Sequence, residues 1–162
     1  MEDRSHGEGG RVALAREALE LIAASPRGVL CTLLPGGGEP YGSLVDILPL
    51  EGGDVVLFLS GLAEHRKNLD ADPRGSLLLG PAIGSPDALT QPRVTIVGSA
   101  EQVEDRAEFR DLYLAAHPAS AAFIDFPDFA FYRLRADRVR YIAGFGRMGW
   151  IPRDSLTSKD PE

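Results

Sequence analysis

The sequence is poor in the residues that build covalent and metal-linked scaffolds. Among 162 residues it has one cysteine, Cys31, and three histidines, His6, His65 and His117. A single cysteine excludes an internal disulfide, and the spacing of the histidines matches no metal-binding motif. Cys31 lies in an apolar, strand-like stretch, so we expect it in the core rather than as a nucleophile.

The sequence also lacks long apolar runs and an excess of basic residues. No apolar segment approaches the roughly 20 residues that a membrane-spanning helix requires. Lysine and arginine total 17 against 24 aspartates and glutamates, which gives a net charge of −7. We therefore expect neither nucleic acid nor a membrane as a partner. The acidic N-terminus MEDRSHGEGG shows no signal-peptide pattern, and we expect a cytoplasmic protein.

The pattern that is present indicates a single globular domain. A chain of 162 residues can bury a proper core, and we expect disorder in residues 1–10, one domain over residues 11–152 and a tail over residues 153–162. Apolar periodicity and proline stops predict helices at Arg11–Ser25, Leu62–Ala71 and Arg106–Ala116. Apolar and alternating runs predict strands at Gly28–Leu34, Tyr41–Leu50, Val55–Leu59, Gly75–Gly80, Arg93–Val103, Phe129–Arg135 and Val139–Gly144.

The order of these elements predicts the fold class. Strands follow one another through turns at residues 35–40 and 51–54, and there is no βαβ alternation. We expect the last two strands to form a hairpin whose arginines lie on a solvated or subunit-facing surface. The prediction is a mainly β (α+β) domain, one antiparallel β-barrel of about six strands with flanking helices.

Two glycine-rich segments look like nucleotide-binding loops but lack the required context. Residues 144–149, GFGRMG, match G-x-G-x-x-G after a strand, yet Trp150 and a proline follow where a dinucleotide fold needs a helix. Residues 35–40, PGGGEP, lack the Lys-Ser/Thr pair of a phosphate loop. We expect a hairpin turn at the second segment and close packing against a ligand or partner chain at the first.

The stretch VVLFLSGLAEHRKNLDADP, residues 55–73, carries the most specific signal. A buried strand ends at Ser60-Gly61, and a short helix follows on which Leu62, His65, Arg66 and Leu69 share one face. Two basic side chains on a leucine face, leaning toward a turn that offers a hydroxyl and free N–H groups, favour an anion site, most simply for phosphate. The alternative is a capping serine with two basic side chains that reach solvent.

Several motifs in order resemble the FMN-binding split barrel of the pyridoxamine 5′-phosphate oxidase superfamily, and in particular its haem-utilisation (HugZ/HutZ-like) branch. They are PYGSLVDILPL (40–50), FLSGLAEHRKNLDADPRGSLLL (58–79), PRVTIVGSAEQV (92–103), FPDFAFYRL (126–134) and AGFG (143–146). The resemblance runs from Gly28 to Ile151 and implies a six-stranded antiparallel split β-barrel that dimerises with FMN at the interface.

The resemblance also implies roles for individual residues. It assigns the FMN phosphate to Ser60, His65 and Arg66, the edge of the isoalloxazine ring to Ser43, Leu44 and Val45, and a polar flavin contact to Arg93. Ser43 and Leu48 stand where pyridoxamine phosphate oxidases carry an arginine and a lysine, so that particular oxidation is not implied.

Three functions follow as expectations. The first is an FMN-dependent oxidoreductase with an unknown small-molecule substrate, in which the cofactor carries the chemistry because the chain has few candidate acids and bases. The second is a HugZ-like haem-binding or haem-degrading protein, although no histidine follows His117 as an iron ligand. The third is a non-enzymatic barrel that binds a small ligand or a partner.

Overall fold

The computed structural model describes residues 8–82, 84–144 and 146–157. Its helices are α1 (Glu8–Ala24), α2 (Glu64–Ala71), α3 (Ala107–Ala116) and α4 (Arg153–Thr157). Its strands are β1 (Arg27–Leu33), β2 (Pro40–Pro49), β3 (Val55–Ser60), β4 (Arg74–Leu79), β5 (Arg93–Gln102), β6 (Phe129–Gly144) and β7 (Arg147–Pro152). Residues 8–10 of the segment expected to be disordered begin α1, and residues 153–157 of the expected tail form α4, while residues 1–7 and 158–162 lie outside the described residues.

The strands form one antiparallel sheet that closes on itself. Their order is β3-β2-β1-β4-β5-β6-β7, and a further pairing of β3 with β6 closes six of them into a barrel. β7 adds to β6 outside the closed ring. The predicted six-stranded antiparallel barrel is therefore confirmed, with one extra strand and four flanking helices. None of the helices in the described ranges is long and apolar enough to cross a membrane.

Two apolar clusters hold the barrel together. The larger one fills the barrel with one face of every strand of the ring, and Leu14, Ala18 and Ile22 of α1 pack into the same cluster. The smaller one lies on the other side of β3 and β6, where Phe58 and Phe131 contact Tyr113 of α3. β3 is thus covered on both faces, which explains why residues 55–59 are apolar without alternation.

The predicted final hairpin is wrong. Residues 129–144 form one strand of 16 residues, and the hairpin joins β6 to β7 instead. The polar residues near Asp137 indicated a turn, but the chain absorbs them in a register shift opposite Val97 and Gly98 and then continues the strand. Gly98 permits this close approach, because a Cβ there would lie 1.8 Å from the carbonyl oxygen of Arg135.

A gap between β2 and β3 positions the candidate site. The two strands pair at three positions, from Ile47 opposite Leu57 to Pro49 opposite Val55. Beyond these positions, residues 40–46 of β2 pair with β1 and residues 58–60 of β3 pair with β6. Helix α2, which follows β3, packs against β1 and β2 beside this gap.

Candidate functional site

The turn from β3 into α2 differs from its prediction in one respect. Helix α2 begins at Glu64 rather than at Leu62, and its N-cap residue is Ala63, without a side-chain cap. Leu62 is 82% exposed, so the expectation that it shares the buried helix face with Leu69 is wrong. Because the turn residues 61–63 are not helical, the spacing of the apolar residues overstated the helix by two positions.

The hydroxyl and amide of this turn are both engaged by Asp128. Ser60 Oγ donates to Asp128 Oδ2 at 3.0 Å and accepts from the Leu62 N–H at 3.1 Å. The Gly61 N–H donates to the Asp128 carbonyl oxygen at 2.6 Å. The donors that the sequence assigned to an external anion therefore meet an acidic residue of the chain itself.

Arg66 lies in the same corner, as predicted from its helical face. Its Nη1 donates to the Asp128 carbonyl at 2.5 Å and, at 3.4 Å, to that of Leu59. Its Nε donates at 3.2 Å to the hydroxyl of Tyr132, which in turn donates to Asp70 at 2.5 Å. Among the described residues, Nη2 has no hydrogen-bond acceptor. The guanidinium is thus held on two sides and keeps one free edge.

The charges of this corner do not sum to a strongly positive site. Burial lowers the pKa of His65, so its imidazole is neutral near pH 7. Lys67 is exposed and lies 3.8 Å from Glu64. One fixed guanidinium, Arg66, therefore lies 3.9 Å from the carboxylate of Asp70 and donates to the backbone carbonyl of Asp128, whose carboxylate accepts from Ser60.

The structure places the three predicted ring contacts on β2, next to the gap. Ser43 is paired with the fully buried Leu30 and faces inward with Val45. The Ser43 hydroxyl is buried and has no hydrogen-bond partner in the part of the chain that the structure describes. Leu44 points outward and is 70% exposed.

Arg93 is not brought to the same corner within one chain. It begins β5, which is separated from β2 by β1 and β4, roughly 14 Å along the sheet. Its Nη1 donates to the carbonyl of Leu89 at 2.9 Å. A ligand touching both Arg93 and the α2 corner would therefore have to extend across three strand spacings or contact a second copy of the chain.

A second candidate surface runs round the outside of the barrel. Register places one residue from each of six strands in a row, which we call the outer row: Leu44, Val29, Leu78, Thr95, Arg140 and Trp150. At one end Leu44 is 70% exposed, at the other Trp150 is 49% exposed, and Leu78 within the row is 40% exposed. The guanidinium carbons of Arg138 and Arg140 lie 4.9 and 5.8 Å from the centre of the Trp150 ring.

Sequence reasoning missed two residues of the α2 corner, Asp128 and Tyr132. Both lie in the FPDFAFYRL segment, which was identified as a motif without assigned roles. An acidic residue beside a proline at the start of a strand was the available signal, but its contact with Ser60 spans 68 residues and required the fold.

Comparison with known proteins identifies the family. The sequence profile described as pyridoxamine 5′-phosphate oxidase matches residues 14–143, four fifths of the chain. The chain belongs to this family. The chain is similar to the non-canonical heme oxygenase HOZ, chloroplastic, of Arabidopsis thaliana. The two are 37% identical over 137 residues, which cover 83% of this chain and 41% of HOZ.

Solved structures of similar proteins agree with the fold. A heme binding protein from Mycobacterium smegmatis has 37% identity and a TM-score of 0.79, covering 88% of this chain and 59% of that one. ChuZ of Campylobacter jejuni, at 18% identity and a TM-score of 0.78, supports the fold alone; it covers 96% of this chain and 64% of that one. The chain thus spans about two fifths of HOZ and about three fifths of the mycobacterial protein.

Proposed function

We propose that this family member forms a two-fold dimer and binds haem at the subunit interface, for storage or breakdown. The observation that carries the proposal is the pair of guanidiniums of Arg138 and Arg140 beside the half-exposed Trp150. Neither arginine has an ion pair among the described residues, although the chain carries a net charge of −7.

The chemistry of this surface fits a flat ligand with two carboxylates. Two guanidiniums can each hold one propionate through paired hydrogen bonds, and the indole offers a face for stacking. The apolar end of the outer row, Leu44, Val29 and Leu78, supplies a surface for the porphyrin. Bound haem supplies redox and oxygen chemistry, while the chain supplies binding, orientation and exclusion of water.

A dimer brings the two ends of the outer row together. The row wraps round the barrel, so its arginine end and its apolar end do not face each other within one chain. In a two-fold interface, a contact from one end to the other occurs twice. Such pairing covers the exposed Leu44 and Leu78 and creates two equal sites, each with residues from both copies.

The similarity to named haem proteins supports this choice of ligand. HOZ and the mycobacterial heme binding protein are each 37% identical to this chain. The proposal concerns haem binding rather than iron coordination, because the described part of the outer face carries no histidine. His117 is buried and its Nε2–H donates to the carbonyl oxygen of Ile47 at 2.7 Å.

A hemin titration followed at the Soret band tests the proposal. Arg138→Ala and Arg140→Ala should each weaken binding about tenfold or more, because each removes a charge-assisted hydrogen bond to a carboxylate. Arg135→Ala is the matched control: it removes the same charge from an exposed site on the same strand, away from Trp150, and should change affinity less than twofold. Equal losses in all three variants, or no Soret band in the wild type, would refute the haem site.

FMN-dependent oxidoreduction is the second candidate, and Ser43 is the observation that favours it. Within the described part of the chain, its buried hydroxyl has no hydrogen-bond partner and Arg66 keeps one free edge, so both groups remain for a flavin and its phosphate. In a flavin-fluorescence titration, Arg66→Ala should weaken FMN binding more than Lys67→Ala, since Lys67 is exposed. A flavin spectrum in the purified protein, without a Soret response to hemin, would favour this candidate over haem.

A further inference from the structure

The three donors of the α2 corner converge on a single residue. The Ser60 hydroxyl reaches the carboxylate of Asp128, while the Gly61 N–H and Arg66 Nη1 reach its carbonyl oxygen. These are the groups that a phosphate in this corner would need. The Ser60 hydroxyl donates its one proton to Asp128 and accepts a hydrogen bond from the Leu62 N–H. It therefore has no proton left to donate to a ligand.

A tight turn and the Arg106 side chain fix the position of Asp128. Residues 126–129 form a turn closed by the Phe129 N–H and the Phe126 carbonyl at 3.2 Å, with Pro127 as its second residue. Arg106 Nη1 donates to the carbonyls of Phe126 and Phe129 at 3.1 and 2.9 Å. The same guanidinium also donates to the carbonyl of Ile124.

We infer that Asp128 is an internal anion that determines the specificity of this corner, by occupying the phosphate position and disfavouring phosphorylated ligands. A carboxylate repels a phosphate that binds beside it, and a phosphate carries 1.5 to 2 negative charges. Arg66 is the guanidinium that contacts Asp128 in this corner, and it is already opposed by the carboxylate of Asp70, so it does not offset both acids. The inference is separate from the haem proposal. For FMN-dependent oxidoreduction, the second candidate function, it states that Asp128 limits the affinity for FMN.

The test is Asp128→Asn, which keeps the shape and the turn preference while removing the charge. At a separation of about 5 Å, removing one charge should tighten FMN binding by about tenfold at low salt. Riboflavin, which lacks the phosphate, should bind the variant and the wild type equally. Asp125→Asn is the matched control, because Asp125 lies three residues away in the same segment but pairs with Arg110 at 2.8 Å; it should change FMN affinity less than twofold.

Each outcome decides the inference separately from the haem proposal. Unchanged or weaker FMN binding by Asp128→Asn, or an equal gain for riboflavin, overturns it. If no variant binds flavin, inorganic phosphate is the probe: Asp128→Asn should gain thermal stability in phosphate over chloride at equal ionic strength, and no gain overturns the inference. Asp128→Ser repeats both measurements if the asparagine variant does not fold. Hemin binding should be the same in Asp128→Asn and the wild type, and depends instead on Arg138 and Arg140.

Discussion

At the residue scale, Asp54 is a buried carboxylate that links β6 and the C-terminal helix α4 through hydrogen bonds. Its side chain is 1% exposed and accepts hydrogen bonds from Arg133, from Arg153 and from the Ala136 N–H at 2.8 to 3.1 Å. Burial by itself raises the pKa of this carboxyl, but the hydrogen bonds from Arg153, Ala136 and Arg133 outweigh it. The pKa therefore lies below its ordinary value of 3.8.

Asp54→Asn should destabilise the protein by about 2–4 kcal/mol at pH 7, because two arginines lose the carboxylate that satisfies them. Since the folded-state pKa is lowered, this contribution is complete above the ordinary value and is lost as the pH falls below about 4. Urea unfolding of both proteins at pH 7 and pH 3.5 measures the effect. The difference in free energy of unfolding between the wild type and Asp54→Asn should be smaller at pH 3.5 than at pH 7.

The control for this variant is Asp46→Asn. Asp46 lies 2.5 Å from Arg27, but both side chains are largely solvated, so its loss should cost much less than that of Asp54. Equal losses at the two sites, or a gap for Asp54 that grows on acidification, would show that the buried carboxylate does not stabilise the fold as its contacts indicate.

The sequence predicted the helix face of the candidate site but not its long-range contacts. The face of α2 that carries His65, Arg66 and Leu69 followed from spacing, because helical geometry fixes which side chains are neighbours. The engagement of Ser60 and Arg66 by Asp128 depends on a contact across more than 60 residues. No local pattern encodes such a contact, and the roles assigned to Ser43, Leu44, Val45 and Arg93 as flavin contacts remain predictions.

At the scale of elements, the long strand β6 joins the two halves of the sheet. Its first part pairs with β3 and closes the barrel, while its last part pairs with β7, and β5 lies beside it throughout. Alternation of apolar and polar residues predicted both halves correctly as strands. It could not distinguish a bulge from a turn between them, because a bulge and a turn both place polar residues at an interruption of the pattern.

Gly98→Ala tests whether this bulge fixes β6 as one strand. A Cβ at residue 98 would lie 1.8 Å from the Arg135 carbonyl oxygen, and since both are backbone-bound, β5 and β6 would have to separate. We expect a loss of about 3 kcal/mol or more in the free energy of unfolding. Gly42→Ala is the control, since its nearest neighbour would be Val29 Cγ1 at 3.8 Å, and thermal melts should show little change. A well-folded Gly98→Ala protein with unchanged stability would contradict the close approach.

At the scale of the whole molecule, the outer row leaves large apolar side chains exposed on the outside of the barrel. Leu44, Leu78 and Trp150 are each at least 40% exposed on a row that continues across six strands. Scattered exposed leucines are ordinary, but a continuous row with an aromatic end is typical of an interaction surface. The proposed dimer would cover this row, which the strand pattern alone could not distinguish from solvated sheet.

Leu78→Asp tests the dimer at its centre. Leu78 is 40% exposed in one chain, so a carboxylate there costs little in the monomer but would be buried, unpaired, in an interface that covers the outer row. Sedimentation equilibrium at micromolar concentration should give twice the 17.4 kDa of one chain for the wild type. For Leu78→Asp it should give the mass of one chain, with the dimer weakened at least about 100-fold. Leu112→Asp changes a somewhat more exposed leucine (57%) on α3, away from the row, and should stay dimeric. A monomeric wild type, or two aspartate variants that behave alike, would remove the interface on which the proposed haem sites depend.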